Sequence, residues 1–198
     1  MKAVFARLAA SAALIAAAPS MAHIVVYSTP LSGAAEEPPN ASPGNGSARV
    51  TVDDHTFSMR VEASFSDLSG QTTAAHIHCC TALAEAGTAG VATMVPSFAG
   101  FPLGVAAGSY DNSFDMTLAS SWNPAFLTAN GGSTANAFST LVTGLNQGTA
   151  YFNVHSTAFP GGEVRGFLAV TPIPEPQTYA LMLAGLAVVG IAAKRRRR

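Results

Sequence analysis

Two cysteines in a chain of 198 residues exclude a disulfide framework, so the core has to be held mainly by apolar burial. Basic residues are scarce over the whole central stretch. Only Arg49, Arg60 and Arg165 lie between His23 and Pro176, against all eleven acidic residues, so that stretch carries a net charge of −8 with histidines neutral. Such a surface has no basic patch to displace phosphate counterions, which argues against a nucleic-acid partner. It suits cation binding and solubility outside the cell. Neither a G-x-S-x-G elbow nor a glycine-rich phosphate loop opening a helix occurs, so the serine-hydrolase and nucleotide-binding templates find little support. No apolar run reaches the roughly 20 residues of an ordinary membrane span.

The two ends read as addresses. Residues 1–22 have the form of a secretory signal peptide for signal peptidase. Lys2 and Arg7 form the positive region, Leu8 to Ala18 the alanine-rich apolar core, and Ser20-Met21-Ala22 the small-residue cleavage site. At the other end, residues 172–198, Pro174-Glu175-Pro176 precedes an uncharged apolar run from Tyr179 to Ala193. Lys194, Arg195, Arg196, Arg197 and Arg198 close the chain. At 1.5 Å per residue that run makes a transmembrane helix of roughly 22 Å, short for a core of about 30 Å unless its flanks snorkel. The basic tail places the C-terminus in the cytoplasm. This motif, helix and arginine cluster resemble a PEP-CTERM sorting signal. The resemblance implies recognition by an exosortase-type membrane protease, an inner-membrane-anchored precursor, and release or attachment at the surface or matrix of a Gram-negative, exopolysaccharide-producing cell. A permanent C-terminal anchor is the alternative.

Between the ends, residues 23–171 are enough for one domain with a sizeable core. Ala48, Val50 and Val52 alternate with polar residues, Asp53-Asp54 supplies a turn, and Phe57, Met59, Val61, Ala63 and Phe65 alternate again, which is the pattern of a hairpin with one wet face. Further strands are expected at Ile24 to Tyr27, Thr72 to His78, Ser113 to Leu118, Ala150 to His155 and Glu163 to Val170. A helix is expected from Thr134 to Leu145, where Phe138, Leu141, Val142 and Leu145 take i, i+3, i+4, i+7 spacing. From Thr81 to Ser109 no period is sustained, and Phe98 and Phe101 are candidates to cover the core or a site. These elements predict a mainly-β, antiparallel β-sandwich of roughly seven strands with one short helix.

Four separated motifs carry a second resemblance: Leu31-Ser32-Gly33-Ala34 with Glu37-Pro38-Pro39, Ala74-Ala75-His76-Ile77-His78, Tyr151-Phe152-Asn153-Val154-His155, and Pro160-Gly161-Gly162-Glu163-Val164-Arg165-Gly166. In this order they resemble the CHRD domain, over about residues 29 to 170. The resemblance implies an extracellular β-sandwich without an assigned catalytic activity. Cys79-Cys80 departs from it, standing where glycine is common.

His76-Ile77-His78-Cys79-Cys80 concentrates the ligand and redox chemistry of the chain. On a strand, His76 and His78 share a face about 7 Å apart, and His155 ends its own strand as His78 does. If the two strands are neighbours, three imidazoles converge at one rim, a donor set for copper or zinc. The competing reading is three histidines tied to turn carbonyls. Cys79 and Cys80 form a vicinal disulfide, remain thiols or thiolate ligands, or pair between chains. An oxidising exterior favours the first. Glu36 and Glu37 read as an exposed loop, and Glu163 with Arg165, two residues apart on one strand face, as an ion pair. The functional expectation is an exported, non-catalytic binding or structural protein of the envelope or matrix, with an extracellular polysaccharide or matrix protein as partner. A small copper or zinc redox enzyme is the alternative.

Overall fold

The computed structural model describes residues 24–171, together with 183–186 and Lys194. The signal peptide, His23, the Pro174-Glu175-Pro176 motif, most of the apolar run and residues 195–198 lie outside the described residues. Among the described residues no helix is long and apolar enough to cross a membrane.

The strands are β1 (Ile24–Ser32), β2 (Asn45–Asp53), β3 (Ser58–Ser66), β4 (Thr72–His78), β5 (Gly108–Asp115), β6 (Tyr151–Ser156), β7 (Val164–Phe167) and the two-residue β8 (Ala169–Val170). The helices α1 (Pro124–Ala129) and α2 (Thr134–Asn146) lie between β5 and β6. The architecture is mainly β and antiparallel, as the periodicity indicates. All eight strands belong to one sheet, in the order β4-β6-β7-β1-β2-β3-β5 with β8 beside β1, and this sheet curls into a half-barrel. Its two facing halves are therefore hydrogen-bonded to each other through β7 and β1.

The β2–β3 hairpin follows from its alternation. Val50 opposes Val61 and Val52 opposes Met59, all buried, while Arg49 opposes Glu62 on the wet face. Asp53 closes the turn by accepting from the backbone N–H groups of His55 and Thr56, which holds its carboxyl below the usual range. β5 begins five residues before the expected strand because Ser109 and Tyr110 already pair with β3. It ends early because Asp115 caps Thr117. α2 matches its 3.6-residue pattern, with Ala137, Phe138, Leu141 and Leu145 buried and Ser133 capping the N–H of Asn136. α1 was not expected. Its signal is Asn123-Pro124, an Asn N-cap accepting from Ala125 N–H with proline at the first helical position.

The stretch 79–107 closes the open side of the half-barrel. Phe98 reaches from β6 to β5, its ring 6.0 Å from Phe152 and 5.4 Å from Phe114, and Phe101 stacks on Phe65 at 5.5 Å. The same stretch satisfies the outer edge of β4, the sheet's end strand. Ala75 O accepts from Phe98 N–H and Ile77 O from Ala92 N–H. Ser97 Oγ and Thr93 Oγ1 accept from the N–H groups of Ala75 and Ile77. An edge that would otherwise be open to another chain is thus covered within the molecule. Replacing Phe98 with alanine removes the side chain that packs between β6 and the far edge strand β5. The expected loss is about 3–5 kcal/mol of stability, read as a lower midpoint in denaturant unfolding. An unchanged midpoint would show that the stretch does not close the barrel.

Candidate metal centre

The pairing of β4 with β6 sets the site. Ala74 lies opposite His155, His76 opposite Asn153 and His78 opposite Tyr151, so His76, His78 and His155 fall on one face of adjacent strands. Ala75 and Ile77, on the alternate positions, are fully buried in the core and hold β4 in this register. The ring centroids of the three histidines lie 5.3 to 5.9 Å apart.

Each ring is fixed by a backbone carbonyl. His76 Nε2 donates to Pro96 O (2.6 Å), His78 Nδ1 to Ala89 O (2.9 Å) and His155 Nδ1 to Pro160 O (2.9 Å). A carbonyl only accepts, so each of these nitrogens carries the proton and the other nitrogen of a neutral ring presents its lone pair. Those other atoms, His76 Nδ1, His78 Nε2 and His155 Nε2, are buried and without a hydrogen-bond partner. One ring nitrogen from each of the three histidines lies within 4.8 Å of one from each of the others. Bonds of about 2.0–2.1 Å to a shared ion require roughly 3.5 Å between nitrogens, so holding an ion would require the rings to draw together. Burial pushes His76 and His78 down to about 4, against the pull of their carbonyls, and lowers His155 too. All three are therefore neutral at pH 7, the form that ligates. The carbonyl ties expected of a purely structural triad are present, and they leave three buried lone pairs with no donor.

The walls of the site come from Tyr151 and Arg165, which the sequence placed in motifs but not beside the histidines. Tyr151 stacks on His78 with centroids 4.7 Å apart, and its hydroxyl bridges the Ala89 peptide. The Arg165 guanidinium lies 4.8 Å over the Tyr151 ring, and its Nε and Nη1 donate to Ala35 O and Gly87 O. The expected Glu163–Arg165 pair is not formed. Glu163 is buried at the start of β7, where Ser42 Oγ and the N–H groups of Ser69 and Gly70 donate to it. Burial alone would raise its carboxyl, but donors from Ser156, Ser42, Ser69 and Gly70 outweigh burial and hold it low. Arg165 faces Glu36 instead, with Nε 3.8 Å from Oε2.

Glu36 corrects the exposed-loop expectation, being only 7% exposed. The 3-10 turn Gly33–Ala35 folds it inward, and Asn40 ties the loop to the carbonyls of Gly162 and Glu163. Burial pushes its carboxyl up to about 7, against Arg165, the Glu37 N–H and the nearby Asn153 amide. The sequence offered no local sign of this, since the partner arginine lies more than a hundred residues away. Glu37, beside it, is exposed as expected.

The sulfurs of Cys79 and Cys80 are joined to each other, immediately after β4. Both pack on Gly144 of α2, where an added Cβ would fall 2.5 and 2.6 Å from them. The metal-competent group is thus three imidazoles without thiolate or carboxylate.

The depressed imidazoles set a pH dependence for the metal-free protein. Between about 6.5, the ordinary value for histidine, and about 4, the unfolded chain binds protons that the folded one does not. The contribution of the imidazoles to stability is therefore complete above this window and falls as pH drops through it, partly offset by Glu36, whose raised carboxyl acts in the opposite direction. Denaturant unfolding of metal-free protein at a series of pH values should show this fall, and a His76→Gln, His78→Gln double variant should flatten it. An equally steep fall in the variant would assign the loss to other groups.

No curated protein and no solved structure matches the chain. Two family models do: the PEP-CTERM protein-sorting motif over residues 172–198, and the CHRD domain over residues 27–168. The first implies recognition by an exosortase-type system, and with it export and a membrane-anchored precursor in a Gram-negative bacterium. The second spans the sheet from β1 to β7 and contains all three histidines, so this chain belongs to the CHRD-domain family.

Proposed function

We propose that this exported CHRD-domain protein is a non-catalytic binding protein of the cell envelope or extracellular matrix that holds one copper or zinc ion on His76, His78 and His155. The observation that carries the reading is the convergence of three buried, unpartnered imidazole nitrogens, each oriented by a backbone carbonyl on its opposite nitrogen. Buried polar atoms normally find partners, and the carbonyl ties fix ring orientation and ligand basicity. Neutral imidazoles suit zinc and copper and disfavour magnesium and calcium. Three protein ligands leave a further position on the ion, and the alternative reading of a small redox enzyme would use it.

Elemental analysis after zinc or copper loading tests the site. The expected result is stoichiometric metal in the wild type and at least about a tenfold loss of affinity in His76→Ala. No bound metal after loading overturns the reading. Turnover by the copper-loaded protein, with loss in the same variant, moves it to the redox enzyme. The processing half of the proposal is that exosortase-type cleavage removes the C-terminal helix and basic tail before surface or matrix attachment. Intact-mass measurement of exported protein should give a C-terminus upstream of Tyr179, and a mass that still includes Arg198 refutes cleavage.

A further inference from the structure

The three ligand nitrogens are sealed from solvent, so an ion has to cross the loops that cover them. A cleft of about 320 Å³ lies between the loops 36–40 and 158–162. Two observations connect it to the triad. Pro160, on its wall, carries the carbonyl that orients His155. Asn153, opposite His76 on β4 and two residues from His155 on β6, lies beneath Gly162, which also lines the cleft. A Cβ built on Gly162 would stand 2.6 Å from Asn153 Nδ2 and 2.8 Å from both Asn153 Oδ1 and Glu36 Oε1. Glu36 and Asn153 are 7% and 3% exposed, and these two oxygens have no hydrogen-bond partner. Gly162 takes φ +139°, where side chains are strained, and so keeps the space between the oxygens open. Beside the Asn153 amide, two buried oxygens without a partner face this one small void, in a cleft with no basic residue among its described lining, and they suit a cation or a further hydrogen-bond donor.

Resting on the reading of the triad as a metal centre, we propose that Glu36 and Asn153 form a transit site, which takes a divalent d-block cation from this cleft and passes it to the three imidazoles. Two oxygens bind such an ion more weakly than three imidazoles do. The Arg165 guanidinium, 3.8 Å from the second Glu36 oxygen, weakens the carboxylate's hold further. The pair therefore speeds passage without trapping the ion. Glu37, exposed at the rim, adds attraction at the mouth.

Stopped-flow uptake of Zn²⁺ by the metal-free full chain in detergent, and its release to a chelator, test this. Glu36→Gln is expected to slow both rates by about tenfold, with final stoichiometry and equilibrium affinity unchanged, because a group on the path shifts both directions alike. Glu37→Gln is expected to slow uptake far less. Unchanged rates in Glu36→Gln, or weaker affinity with an unchanged uptake rate, overturn the transit site while leaving the metal centre standing. No Zn²⁺ uptake by the wild type overturns both. If Glu36→Gln lowers the melting temperature, Glu36→Asp keeps the charge and withdraws the oxygen by one methylene. It is expected to slow uptake too, and wild-type rates in that variant overturn the proposal.

Discussion

The structure depends on how the outer edge of β4 is satisfied. An end strand of a curled sheet presents N–H and C=O groups that have to be paired or exposed to other chains. Here the irregular stretch after Cys80 does the pairing, with its own backbone at Ala92 and Phe98 and with the hydroxyls of Thr93 and Ser97. Because that stretch is hydrogen-bonded along β4, its carbonyls at Ala89 and Pro96 arrive beside His78 and His76. Edge protection and imidazole orientation are thus two results of the same contacts. The third carbonyl comes from the β6–β7 turn, at Pro160.

Buried charge is organised around the same face. Arg165 is 3% exposed and still has partners on every side: two carbonyls, two aromatic rings and, at longer range, Glu36. A guanidinium with five donors in a plane serves this role better than an ammonium would. Glu163 is equally buried and relies on hydroxyl and N–H donors rather than on a cation. Each charge ties together loops distant in sequence, and removing one partner would leave the other buried and uncompensated. The loops over the histidines are therefore held by specific polar contacts as well as by apolar packing.

The disulfide fixes the other side of the site. Cys79 leaves β4 directly after His78, and both sulfurs press on Gly144, so α2 is docked against the exit of the histidine strand. The Thr149–Ala150 link then returns the chain into β6, with Thr149 O accepting from Thr81 N–H just beyond the disulfide. The two strands that carry the three histidines are in this way coupled at their ends as well as along their ladder.

The sequence by itself determined the strand faces and singled out the three histidines. Period-two alternation placed Ala75 and Ile77 on one face and His76 and His78 together on the other, because neighbouring side chains on a strand must point to opposite faces. Period 3.6 gave α2, and composition at the two ends gave an exported chain. Tertiary structure alone decided that β4 and β6 are neighbours, that the sheet curls as one piece, and which carbonyl takes each imidazole proton. It also decided that Glu36 is buried against Arg165 and that Glu163 has other partners. These are contacts between segments up to some 130 residues apart. Local patterns report which face a residue occupies, whereas partner choice among buried polar groups depends on what the rest of the chain brings within hydrogen-bonding distance.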